Sequence, residues 1–158
     1  MPRAGRSSSR SGATPISAEL LTASAAETEA AGRRLAKHLR VGDLVLLAGP
    51  LGAGKTTFVR GLAAGLGCRG DVASPTFQLV RVYEGPLQLA HVDLYRLETA
   101  SELEGLGLEE LLDEGVVAIE WGDRIDPEGA ARILIEPLGE TDSRRLRLEG
   151  GRPDWSWS

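Results

Sequence analysis

Apolar residues recur along this chain in two rhythms, and the alternation of those rhythms predicts its elements. Ile16 to Thr22 reads as a short strand. Ser24-Ala25-Ala26-Glu27 then carries the Ser-x-x-Glu pattern that opens a helix. Ala31, Leu35 and Leu39 continue that helix at one-face spacing. Gly42-Asp43 makes a turn, and Leu44-Val45-Leu46-Leu47-Ala48 is a continuous apolar run, the pattern of a strand covered on both faces. A glycine-rich stretch follows. Phe58, Val59, Leu62, Ala63 and Leu66 then mark the buried face of a second helix. Gly65 to Pro75 is loop, and Phe77 to Tyr83 and Leu87 to Val92 are strands joined by Glu84-Gly85-Pro86 as a hairpin. Ala100 to Asp113 is helical in pattern but interrupted by Gly105 and Gly107. Val116 to Ile119, Ile133 to Ile135 and Leu146 to Leu148 are further strands.

Strands alternating with helices predict an α/β domain over residues 15–149, and the hairpin makes its central sheet mixed, though mainly parallel. The flanks lack such patterning. Residues 1–14 form a disordered basic arm, and residues 150–158, with Trp155 and Trp157, form a loose tail.

Composition narrows the class. A chain of 158 residues fits one domain and can bury about 68–70% of the surface its unfolded form exposes, so it needs no staples. One cysteine, Cys68, and two histidines exclude an internal disulfide and a zinc cluster. The formal net charge of −5 argues against a broad nucleic-acid-binding face, which requires a basic surface. No apolar run approaches the ~20 residues of a membrane span, and the Arg- and Ser-rich start lacks the apolar region of a secretory signal. A cytoplasmic location is the expectation.

Gly49-Pro50-Leu51-Gly52-Ala53-Gly54-Lys55-Thr56 matches G-x-x-x-x-G-K-[ST], the phosphate-binding loop. Glycines let successive backbone N–H groups turn toward an anion. The helix that follows adds its unpaired N-terminal donors and the positive end of its dipole. Lys55 is expected between the β- and γ-phosphates of a nucleotide, Thr56 on Mg²⁺, and Thr57 on the α-phosphate. The setting agrees, because the motif lies between a buried apolar strand and an amphipathic helix.

Such a loop works with an acid at the end of a neighbouring strand. Asp93 ends the hairpin's second strand and Glu120 ends the Val116 strand. One is expected to hold the Mg²⁺ shell and the other to orient or deprotonate water. Thr76 lies in the loop where a γ-phosphate-sensing threonine often sits. Trp121 follows Glu120; its indole suits either a nucleotide base or ordinary packing.

These segments together resemble one family. Leu51 to Phe58, Ser74-Pro75-Thr76-Phe77, His91-Val92-Asp93-Leu94-Tyr95-Arg96-Leu97 and Glu120-Trp121 occur in the order and spacing of the bacterial TsaE family, the ATPase of tRNA N6-threonylcarbamoyladenosine synthesis. The resemblance spans about Ile16 to Glu149. It implies a three-layer P-loop NTPase fold, ATP and Mg²⁺ as cofactors, and ATP hydrolysis that is slow alone and modulated by partners. Those partners would be the two related subunits of the threonylcarbamoyl transferase, one catalytic and one its paralogue. Strong binding of tRNA by this chain alone is not expected. By the same resemblance Gly52 to Thr57 cradle phosphates, Thr56 and Glu120 contact Mg²⁺, Asp93 supports metal and nucleotide, and Thr76 is the switch threonine. Trp121 then lies by the nucleotide, the Ser24 to Thr28 turn edges the adenine, and Arg144 matches a late nucleotide-contacting arginine. Pro50 departs from the family, where an acid is frequent.

Three other classes compete, one of them a nucleotide-sensing adaptor that is not an enzyme and that loss of turnover on substituting Glu120 would distinguish. A GTPase would need a guanine-reading Asn-Lys-x-Asp segment, and the chain has no asparagine. A P-loop small-molecule kinase would need an acceptor pocket and an arginine-bearing lid; Arg60, Arg69 and Arg81 are available, but no lid insertion is visible.

Overall fold

The computed structural model describes residues 17–50, 52–70, 80–94, 104–121 and 129–158. The expectations for the basic arm, Leu51, the 74–77 segment with Thr76, and residues 95–97 lie outside the described residues.

The described elements are β1 (Ser17–Thr22), α1 (Ala25–Ala36), β2 (Leu44–Ala48), α2 (Lys55–Gly65), β3 (Val80–Tyr83), β4 (Gln88–Asp93), α3 (Leu108–Glu114), β5 (Gly115–Glu120), β6 (Ala131–Pro137) and β7 (Arg144–Glu149). The strands form one sheet in the order β1-β7-β6-β2-β5-β4-β3. Its centre, β6-β2-β5-β4, is parallel. β7 and β1 extend one side antiparallel, and the β3–β4 hairpin closes the other.

Strand parity sorts the core into two faces. On β2, Val45 and Leu47 join the cluster built on α1 and α2, whereas Leu44 and Leu46 join the cluster covered by Leu108, Leu111 and Leu112 of α3. The continuous apolar run at 44–48 is therefore a strand covered on both sides, and the domain has three layers. Each such Leu or Val taken fully out of water contributes roughly 1.5–3 kcal/mol.

The helices begin where local chemistry starts them. Ser24 Oγ accepts from the Glu27 amide at 3.2 Å, the N-cap half of a capping box, and Glu27 Oε1 reaches back to the amide of Ala23, one residue before the cap, at 2.9 Å. α1 stops at Ala36, earlier than the apolar spacing predicts, but Leu39 beyond it is still buried. α2 lies close against α1. A Cβ at Gly61 would stand 1.9 Å from the Glu29 carbonyl oxygen, so only glycine admits this approach. α3 starts at Leu108, directly after the interrupting Gly107.

The C-terminal residues correct one expectation. They form no helix or strand, yet they are not loose where their indoles lie. Trp155 and Trp157 are 7% and 8% exposed and belong to the core on the α1–α2 side. Trp157 meets Phe58 edge-on at 6.0 Å between ring centroids and donates Nε1–H to the Ala18 carbonyl at 3.1 Å. Arg152 ties the same segment to Asp43 with both arms of its guanidinium and to the His38 carbonyl. The expectation failed because nine residues of mixed polarity show no periodicity; the burial of the tail depends on partners more than 90 positions away, such as Phe58 and Ala18 for Trp157.

Trp157→Ala should lower unfolding free energy by about 3–5 kcal/mol, the usual cost of emptying a buried aromatic site. Urea denaturation measures it, and a change below about 1 kcal/mol would restore the loose tail.

Candidate functional site

The loop between β2 and α2 gathers most of the sequence-predicted residues. Gly54 takes φ 108°, a left-handed conformation that disfavours any other residue, and forms the N-cap of α2. Lys55, Thr56 and Thr57 then occupy the first helical turn, with no side chain capping that end. The Lys55 ammonium is buried at 5% exposure and donates to the carbonyls of Gly49 at 2.7 Å and Pro50 at 3.0 Å. It also lies 4.0 Å from the centroid of the Trp121 ring. Trp121 holds φ 63°, the one non-glycine residue at positive φ among those described. This uncommon backbone sits where β5 ends, which turns the indole onto the lysine.

The two strand-end acids lie side by side, Asp93 of β4 opposite Glu120 of β5 in the parallel register. Asp93 is half-buried, while Glu120 is 4% exposed. Thr56 donates from Oγ1 to Glu120 Oε2 at 3.0 Å, which joins the first turn of α2 to the end of β5. His91, fully buried on β4, places Nε2 2.5 Å from the same Glu120 oxygen. Sequence reasoning gave His91 no role. Its signal was parity: it lies two residues before Asp93, so both share the sheet face that carries α2.

Arg144, the first residue of β7, acts on the loop's backbone. Its Nε donates to the Ala53 carbonyl at 2.6 Å and one terminal nitrogen to the Gly52 carbonyl at 3.3 Å. The other terminal nitrogen donates to the carbonyls of Thr141 and Ser143 at 2.8 and 2.9 Å. Ala25, Thr28, Gly54, Thr57, Asp142 and Arg144 line a recess beside the loop. Thr28 is itself buried, and its hydroxyl pairs with that of Thr22 at 2.7 Å. Ser24 uses its hydroxyl in the helix cap, and the neighbouring Ala25 lines the recess wall. Asp142, which sequence reasoning did not single out, enters the wall through the turn before β7.

Other candidates stand apart from this site. Cys68 rests against the Tyr83 and Leu87 carbonyls, and burial, with the Glu84 charge adding to it, pushes its thiol pKa up, so it is a poor nucleophile. The donors near the loop, a hydroxyl and carboxylates, are hard oxygen ligands suited to Mg²⁺. Among the described residues no group of three or more His, Cys, Asp and Glu could hold a metal ion. Among the described residues no helix is long and apolar enough to cross a membrane.

Comparison with known proteins bears on this arrangement. The family model for the threonylcarbamoyl adenosine biosynthesis protein TsaE matches residues 22–146. The tRNA threonylcarbamoyladenosine biosynthesis protein TsaE of Streptomyces coelicolor is 50% identical over 123 residues, covering 75% of this chain and 76% of its own. The protein of that name from Bacillus subtilis is 42% identical over 125 residues, covering 76% and 77%. The crystal structure of Bacillus subtilis YdiB superposes with a TM-score of 0.71 at 30% identity, covering 89% of this chain and 90% of that one. The strand-end acids, the glycine-rich loop and the fold around them thus fall within one matched region, and the chain belongs to the TsaE family.

Proposed function

We propose that this chain binds ATP with Mg²⁺ and hydrolyses it slowly, and that it serves tRNA N6-threonylcarbamoyladenosine synthesis by acting on the threonylcarbamoyl transferase subunits. The observation that carries the reading is the Thr56–Glu120 bond at 3.0 Å, directly beside Lys55. It sets a hydroxyl, a carboxylate and an ammonium together at a helix N-terminus, the combination that nucleoside triphosphate chemistry uses. The biosynthetic role follows from the relatives' names.

Each residue then has a definite task. Lys55 exchanges the Gly49 and Pro50 carbonyls for phosphate oxygens, which are stronger acceptors. The Lys55, Thr56 and Thr57 amides at the start of α2, together with its dipole, face the same anion. Thr56 keeps its proton on Glu120 and has lone pairs left for Mg²⁺, with Asp93 next to Glu120 on the adjoining strand. When bound, Mg²⁺ neutralises charge developing on the phosphates. The recess at Ala25, Thr28, Thr57 and Arg144 receives the nucleoside end, and Trp121 flanks the phosphates. Thr76 couples nucleotide state to the partner surface.

Lys55→Ala should weaken a non-hydrolysable ATP analogue by about 10- to 100-fold, since a hydrogen bond to a charged group is worth about 1.5–3 kcal/mol. Calorimetry on the folded variant checks this, and unchanged affinity would remove the assignment.

Arg144→Ala removes four hydrogen bonds from the loop and the adjoining turn. The nucleotide must then order the loop itself, so analogue affinity should fall by about tenfold, the equivalent of one such bond. Equal affinity would show that the loop is ordered without this clamp.

The full reading is tested by ATPase turnover with and without the two transferase subunits, alongside their binding in the ATP and ADP states. Turnover should change on addition of the partners, and the two nucleotide states should bind them with different affinity. Partners that neither bind nor alter turnover would sink it, and phosphorylation of a small-molecule acceptor would put a kinase in its place.

A further inference from the structure

Among the described residues, His91 is the one fully buried ionisable side chain that the proposed mechanism leaves without a task. It lies in the middle of an apolar strand, with Leu89, Ala90 and Val92 around it, all 0% exposed. Its Nε2 meets Glu120 Oε2 at 2.5 Å, and its Nδ1 is buried with no hydrogen-bond partner among the described residues. Packing alone does not call for an imidazole here. A leucine would occupy the position without leaving a nitrogen dry and unbonded. The side chain's purpose therefore lies at its one polar contact.

We propose that His91 is a positioning residue for Glu120, holding the carboxylate in the orientation in which it serves Mg²⁺. A carboxylate only accepts, so the bond requires the ring to carry its proton on Nε2. Thr56 Oγ1–H arrives at the same oxygen at 3.0 Å. Two donors from two elements, β4 and α2, thus fix Oε2, and they leave Oε1 of Glu120 as the oxygen not engaged in this pair of bonds. A carboxylate on a side chain of three rotatable bonds, pinned at one oxygen, loses the rotations that would otherwise be frozen on metal binding. Without His91, Glu120 would keep only the Thr56 contact, from a hydroxyl whose lone pairs also serve the metal. Groups that orient metal-binding side chains in this way are worth about 10- to 100-fold in metal affinity.

This inference rests on the Mg-ATP reading of the site, and the experiment separates the two. The quantity is the Mg²⁺ enhancement: the affinity for a non-hydrolysable ATP analogue in Mg²⁺ divided by that in EDTA, both by calorimetry. His91→Leu keeps apolar volume and removes the bond. Its Mg²⁺ enhancement should fall by about tenfold or vanish, while affinity in EDTA stays within about threefold of the unaltered chain. His91→Gln can set an amide N–H near the position of Nε2, and it should recover most of the enhancement. His91→Asn, whose amide stops short, should behave like His91→Leu and decides the matter if the leucine variant fails to fold. A purely structural histidine would lower the melting temperature and weaken both affinities equally. Folded His91→Leu with full Mg²⁺ enhancement, or His91→Gln no better than His91→Asn, would overturn the positioning role and leave the nucleotide reading standing. An unaltered chain whose analogue binding ignores Mg²⁺ would overturn both.

Discussion

The parallel pairing of β2 with β5 is the constraint on which the site depends. Their register sets Leu47 opposite Glu120, so the last buried residues of β2 and the acid at the end of β5 reach the same edge of the sheet together. The chain leaves β2 at that edge, passes through residues 49–54 and returns as α2, whose first turn comes down beside Glu120. A one-residue slip between these strands would turn Glu120 to the α3 face and into the apolar cluster of Leu46, Val117 and Ile119. Burial on both faces makes such a slip costly, and the core thereby protects the position of the acid.

Glu120 and His91 are both buried, and each would be unfavourable alone in that layer. Together with Thr56 they form a short chain of donors and acceptor across α2, β5 and β4. Low local dielectric strengthens such bonds and raises the cost of breaking any one of them. Lys55 is managed in the same way, with two backbone carbonyls and an indole face around its ammonium. The charged groups of this site are thus each held by partners that the scaffold supplies.

The far end of the chain secures both helices' surroundings. Arg144 on β7 reaches back to the carbonyls of Gly52 and Ala53, and Trp157 packs on Phe58 one turn into α2. Arg152 closes over Asp43 just before β2, and this contact raises the guanidinium's pKa further, chiefly through the hydrogen bond to that carboxylate. The loop is therefore clamped from a strand, its helix from an indole, and the entry to its strand from an arginine.

Local signals in the sequence determined a large part of this protein. The unbroken apolar run at 44–48, the Ser24–Glu27 cap, the one-sided helix from Phe58 and the hairpin around Gly85 are each specified within a few residues, and each formed where it was read. The loop motif and the strand-end acids were legible for the same reason, since fixed spacing and strand ends are local properties. Contacts between distant segments were decided only by the tertiary structure. His91 looked like a strand residue until β4 and β5 were paired, and Arg144 became a clamp only once β7 lay beside β6. The two tail tryptophans had no periodicity to declare them buried; a core formed by residues far earlier in the chain gave them their places, because burial is a property of the assembled surfaces and not of the segment that enters them.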